Sequence, residues 1–170
     1  MIPAVAIIGR HDSGKTLLIA DLIPALVSRG LHVGTVKHSP HLDDLDAPGS
    51  DSGRHFAAGA KHVLLRGAHT SAFFWRHDPG PLSAEIDRLF PDCDLVLVEG
   101  GKGVPYPKIE VFRLGNDLTE EPLAGEIDVA CVVTDDRIAL PDGVAVLPTH
   151  DLDAIADRVE ALAFGDDPAT

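Results

Sequence analysis

The stretch AVAIIGRHDSGKT, residues 4–16, decides the fold. Its first half is a continuously apolar, partly β-branched run that stops at Gly9, the pattern of a strand buried on both faces of a parallel sheet. Its second half, Gly9 to Thr16, has the Gly-x-x-x-x-Gly-Lys-Thr spacing of a phosphate-binding loop. In such a loop the backbone N–H groups turn inward around a phosphate, and the following helix adds the positive end of its dipole. Lys15 would reach the outer phosphates of a nucleotide and the Thr16 hydroxyl would ligate Mg²⁺. The middle of the loop is bulky: Arg10, His11, Asp12 and Ser13 stand where small residues are usual. That is tolerable, because only the backbone there must face the ligand. Asp12 still brings a carboxylate near bound anions, so it needs solvent or a pairing with Arg10 or His11.

Working outward, KTLLIADLIPALVSRG (15–30) has apolar residues at helical spacing, with Pro24 as a kink and Gly30 as a C-cap. LHVGTVK (31–37) then reads as a strand, completing the βαβ unit that a phosphate loop requires. Residues 38–53 are polar and turn-rich, and a short helix is expected in GRHFAAGA (53–60). KHVLLRGAHTSAFFWR (61–76) predicts an antiparallel hairpin turning near Gly67–His69. Further strands are expected at 94–101, 107–113, 127–133 and 143–147, and helices at 81–90 and 151–164, the last with Leu152, Ile155, Val159 and Leu162 on one face. The expected architecture is one α/β domain spanning 1–170, with a mostly parallel central sheet.

Composition agrees. With 45% apolar and 24% charged residues in 170, the chain is long enough for a full core. The formal net charge of −13 argues against nucleic-acid or anionic-membrane binding. Residues 1–115 hold 12 Lys/Arg and 13 Asp/Glu, whereas 116–170 hold 2 and 14, so an anionic ligand is expected in the first two thirds. Cys93 and Cys131 lie in or beside apolar runs and read as reduced, buried thiols. No signal-peptide pattern opens the chain, and no apolar run nears the roughly 20 residues that span a bilayer. A soluble cytoplasmic protein is expected.

Other residues point to the same end of the sheet. Glu99 ends the apolar strand DLVLVEGG (94–101), where P-loop proteins hold Mg²⁺ or its water shell. Asp94 opens that strand and reads as a solvated start. Lys37 ends the second strand and is a second candidate phosphate contact. Asp43, Asp44, Asp46 and Asp51 form an acidic loop; one of them could orient the metal or a water. His38 and His41 are separated by Pro40 and lack a cysteine partner, which favours a substrate or dimer contact over a zinc site. The Asn-Lys-x-Asp signature of guanine recognition is absent. Asp135 or Asp136, after DVACVVT, could accept hydrogen bonds from guanine, or be only a charged loop.

Taken in order, GRHDSGKT, TVKHSPH, DAPGSDSGRHFAAGA, LVLVEGGK and PKIEVFR resemble the molybdopterin-guanine dinucleotide biosynthesis adapter proteins, the MobB family. The resemblance covers most of the chain. It implies a P-loop NTPase-like, three-layer α/β/α domain that binds GTP and Mg²⁺, forms a homodimer and is at most a slow GTPase. Its partner would be the guanylyltransferase that attaches GMP to molybdopterin, with the pterin itself a further candidate ligand. By motif, Gly9 to Thr16 hold phosphates, Thr16, Glu99 and Asp51 serve Mg²⁺, and Lys37 and Lys102 fall in matching motifs. The sequence departs at Gly101, where an aromatic residue is frequent, and at Leu17, where a second Thr is frequent. Arg10 stands where a related P-loop class has a lysine that reaches the partner's nucleotide across a dimer. Two other readings compete: an ATP-dependent small-molecule kinase or ligase similar to dethiobiotin synthetase, and a dimeric partitioning-type ATPase.

Overall fold

The computed structural model describes residues 1–39, 49–76, 80–115 and 120–165. They group into two compact units, residues 1–38 with 82–170, and residues 39–81.

The larger unit is built on a six-stranded sheet. Its strands are β1 (Ala4–Ile8), β2 (Val33–Lys37), β5 (Leu95–Glu99), β6 (Lys108–Val111), β7 (Cys131–Val133) and β8 (Ala145–Leu147), in the spatial order β2-β5-β1-β6-β7-β8. All five pairings are parallel. The three central strands are almost wholly buried, which is why β1 and β5 as far as Val98 read as continuous apolar runs instead of alternating ones. From β1 the chain crosses to one side through β2 and β5, then to the other through β6, β7 and β8. The switch falls at the carboxyl end of β1, where open α/β sheets leave a crevice for ligands.

Helices cover both faces. On one, α1 (Lys15–Ser28) and α4 (Leu152–Phe164) pack Leu22, Leu26, Ile155 and Val159 onto Val5, Ile7 and Leu97. On the other, α3 (Leu82–Leu89) and a 3-10 turn at Leu123–Gly125 bring Ile86 and Leu123 against Ile8, Val98 and Val132. This is the expected three-layer α/β/α arrangement. Helix α1 runs through Pro24, which sits on its exposed side, as does Ala20, whose carbonyl Pro24 cannot serve. It ends as expected at Gly30, whose N–H reaches the Val27 carbonyl while that of Leu31 reaches Leu26. There Arg29 ties α1 to α4 through Asp157 and Glu160, at 2.5 and 2.7 Å. Part of the acidic C-terminal charge is thus gathered around one guanidinium.

The smaller unit contains α2 (Asp51–Ala57) and the expected hairpin, β3 (His62–Arg66) with β4 (Ser71–Trp75). Helix α2 starts inside the stretch read as loop, because the Ser50 hydroxyl accepts from Gly53 N–H and caps it. The strands expected at 107–113, 127–133 and 143–147 are shorter than predicted, and the 3-10 turn with its following residues occupies the approach to β7. Cys131 is fully buried and Cys93 partly so, and both are free thiols. Among the described residues, no helix is long and apolar enough to cross a membrane.

Candidate nucleotide-binding site

The loop from Gly9 to Gly14 joins the end of β1 to the start of α1. Gly9 is demanded by space, since a Cβ there would lie 2.4 Å from the Val111 carbonyl oxygen of the neighbouring strand. Gly14 occupies the N-cap of α1 at φ +98°, a conformation that favours glycine, and no side chain caps the helix. The first-turn N–H groups of a 14-residue helix therefore open onto the loop with no internal acceptor. Asp12 adopts φ +58°, which Asp tolerates better than most residues, and its carboxylate turns outward to His11 Nδ1 at 2.8 Å. Both side chains are almost fully exposed, so the carboxylate is paired and solvated rather than aimed at an anion.

Lys15 folds back over the loop and donates to the Arg10 carbonyl at 2.5 Å. Partial burial pushes its ammonium below the usual lysine range; Glu99 opposes this, and Lys102 and Lys37 add to it. A cation held short of its hydration shell beside open N–H groups is a prepared phosphate contact. Arg10 points elsewhere: its Nε and Nη2 donate to the Glu121 carbonyl at 3.2 and 3.1 Å.

Strand alternation delivers the rest. Leu95 and Leu97 face α1, so Glu99, two residues on, faces it as well. Parallel register places Glu99 of β5 between Lys37 of β2 and Ile7 of β1. As a result Thr16 Oγ1 donates to Glu99 Oε1 at 2.8 Å, and Lys37 Nζ approaches the same oxygen at 3.1 Å. Two hard oxygen donors at the edge of a phosphate loop fit Mg²⁺, which takes one or two protein oxygens and fills its shell with water and phosphate.

A pocket of about 300 Å³ adjoins the loop, at the small end of the roughly 300–1,000 Å³ typical of ligand sites. Ser13, Gly14 and Leu17 line it from the loop and α1; Asp135, Asp136 and Thr149 line it from the segments after β7 and β8. Ser13 Oγ is buried with no hydrogen-bond partner, an uncommon state that a ligand atom would relieve.

The sequence-predicted residues divide accordingly. Gly9, Gly14, Lys15, Thr16, Lys37 and Glu99 come together, and Asp94 is a strand start, accepting from His32 N–H at 2.8 Å. His38 is exposed and contributes its backbone N–H to the Glu99 carbonyl. Asp51 belongs to the smaller unit, where its carboxylate lies 3.7 Å from Arg54. Asp43, Asp44, Asp46 and His41 lie outside the described residues. Among those described, no three His, Cys, Asp or Glu side chains converge as a metal cluster. Sequence reasoning missed Glu110, which is fully buried and accepts from Leu123 and Ala124 N–H at 2.7 and 2.9 Å. Its signal was a carboxylate between Ile109 and Val111 in the strand KIEV.

The chain is similar in sequence and fold to known proteins. The family described as molybdopterin guanine dinucleotide synthesis protein B, MobB, matches residues 4–135. The molybdopterin-guanine dinucleotide biosynthesis adapter protein of Escherichia coli K12 is 35% identical over 166 residues, 94% of this chain and 92% of that protein. Its Haemophilus influenzae counterpart is 36% identical over 164 residues, 94% and 88% of the two chains. A crystal structure of molybdopterin-guanine biosynthesis protein B superposes with a TM-score of 0.70 at 27% identity, covering 94% of this chain and 98% of that one. The Bacillus subtilis MobB structure shares the fold at a TM-score of 0.73, 24% identity and coverages of 97% and 100%.

Proposed function

The chain belongs to the molybdopterin guanine dinucleotide synthesis protein B family, adapters in that dinucleotide's biosynthesis, and from this we propose that it binds Mg²⁺·GTP and assists a guanylyltransferase in attaching GMP to molybdopterin. One observation carries the nucleotide part: Thr16 and Lys37 converge on Glu99 beside an uncapped helix N-terminus. The helix N–H groups and Lys15 would hold the phosphates, and Thr16 and Glu99 the metal. When bound, Mg²⁺ would neutralise phosphate charge and fix its orientation.

A homodimer is part of the proposal. On one face of the hairpin His62, Phe73 and Trp75 stack at 5.4 and 5.7 Å, next to Leu64. Leu64 is 61% and Phe73 46% exposed, and an apolar hairpin face of that kind is typically covered by a partner.

Titration calorimetry with GTP and ATP, each with and without Mg²⁺, tests the reading. Tighter, Mg²⁺-dependent GTP binding is expected. Preference for ATP would overturn the guanine assignment, and no binding of either would overturn the nucleotide site.

A further inference from the structure

The pocket beside the phosphate loop holds carboxylate acceptors that phosphates, acceptors themselves, cannot use. Strand order places the segment after β7, Thr134–Asp135–Asp136, and the segment after β8, with Thr149, around the start of α1. The two carboxylates there are not equivalent. Asp135 is exposed and committed: one oxygen accepts from Thr149 N–H at 3.0 Å, the other from the Thr149 hydroxyl, and His150 lies 3.8 Å away. Asp136 is half-buried and fixed by its neighbours. Its own N–H donates to Thr134 Oγ1 at 3.0 Å, and its Oδ2 accepts from Leu114 N–H at 2.7 Å. Among the described residues no donor reaches its Oδ1. Leu17, 67% exposed, presents an apolar surface in the same pocket, and the unpartnered Ser13 hydroxyl lies between pocket and loop.

We propose that Asp136 reads the base of the bound nucleotide, accepting the adjacent ring N–H and exocyclic amino group of guanine, while Asp135 positions the segment by holding Thr149. This rests on the nucleotide site proposed above. A carboxylate only accepts hydrogen bonds. Guanine offers two neighbouring donors on one edge, whereas adenine offers a donor beside a ring-nitrogen acceptor, whose lone pair would face the carboxylate. Leaving buried polar groups unpaired is what makes such discrimination steep.

The test is calorimetry of GTP, inosine triphosphate and xanthosine triphosphate against the wild-type chain, Asp136→Asn and Asp135→Asn. The wild type should bind inosine triphosphate, which lacks the amino group, about tenfold or more weakly than GTP. Asp136→Asn keeps an oxygen for Leu114 N–H but puts an amide donor toward the base. It should lose at least about tenfold for GTP and gain for xanthosine triphosphate, whose second carbonyl replaces the amino group. Asp135→Asn should leave the GTP-to-xanthosine preference unchanged. Equal wild-type affinity for GTP and inosine triphosphate overturns the proposal without any substitution. So does an Asp136→Asn variant with the wild-type preference, or a switch that follows Asp135 instead. Failure of the wild type to bind any of the three is a different result, and overturns the phosphate site itself.

Discussion

Lys37 Nζ lies 3.1 Å from the same Glu99 oxygen that accepts the Thr16 hydroxyl hydrogen at 2.8 Å. The side chain of Glu99 is only 15% exposed, so its negative charge needs these partners. The ammonium stands where a cation is needed, and Mg²⁺ binding would compete with it for the carboxylate. Glu99→Gln preserves the shape and removes the charge. The gain in GTP affinity conferred by Mg²⁺ should fall about tenfold, roughly 1.4 kcal/mol, by calorimetry. An undiminished gain would remove Glu99 from the metal site.

Lys15→Ala should abolish nucleotide binding while the far-ultraviolet circular dichroism stays that of the wild type. Lys15 contributes one bond to a backbone carbonyl beside solvent, so its loss should cost the fold about 1 kcal/mol or less. Retained GTP affinity would show that the loop is not the site.

Arg10 is engaged within its own chain by the Glu121 carbonyl. For it to reach a partner's nucleotide, those two bonds must be given up, at about 1–2 kcal/mol for an exposed charged donor. If it makes that crossing, Arg10→Ala should slow GTP turnover at saturating nucleotide. Unchanged turnover ends the cross-dimer role and leaves Arg10 as a tie between the loop and residue 121.

Glu110 has no exposed surface and joins β6 to the 3-10 turn through two backbone N–H groups. Glu110→Ala orphans both donors and should lower unfolding stability by about 3 kcal/mol, read as a shift of the urea midpoint with little change in slope. Glu110→Gln can satisfy one donor only and should fall between. A shift below about 0.5 kcal/mol for alanine would mean that water replaces the carboxylate.

Burial pushes the Cys131 thiol from 9.0 up to about 11, with Arg158 opposing. The unfolded chain therefore loses this proton at lower pH than the folded one. The thiol is neutral in both states below pH 9, so stability falls as pH rises from 9 to about 11, by roughly 2–3 kcal/mol in all. The fall should be shallower in Cys131→Ala, measured by urea unfolding across that range. Iodoacetamide at pH 8 should leave Cys131 unmodified until the protein unfolds; rapid native labelling would contradict the burial.

Local chemistry carried much of this in the open. The run AVAIIG, the glycines around RHDS and the helical period after Lys15 name a strand, a loop and a helix from neighbours in sequence, because strand burial, helix periodicity and turn geometry are local preferences. Glu99 was readable as a carboxylate at a strand's carboxyl end for the same reason. Helix α2 was legible only in part, since its cap, Ser50, looks like any other polar loop residue.

Adjacency was not in the sequence. The placement of β5 between β2 and β1 brings Lys37 to Glu99, and the placement of β7 and β8 beyond β6 brings Asp136 and Thr149 to the phosphate loop. Asp135 and Asp136 were indistinguishable as residues; their different hydrogen bonds, one to Thr149 and one to Leu114, separate them. Those contacts join positions 14 to 62 apart, and only the order in which the strands pack can set them. The sequence by itself determined a Gly-x-x-x-x-Gly-Lys-Thr loop on a parallel α/β sheet; the tertiary structure decided which carboxylates and ammonium groups meet around it.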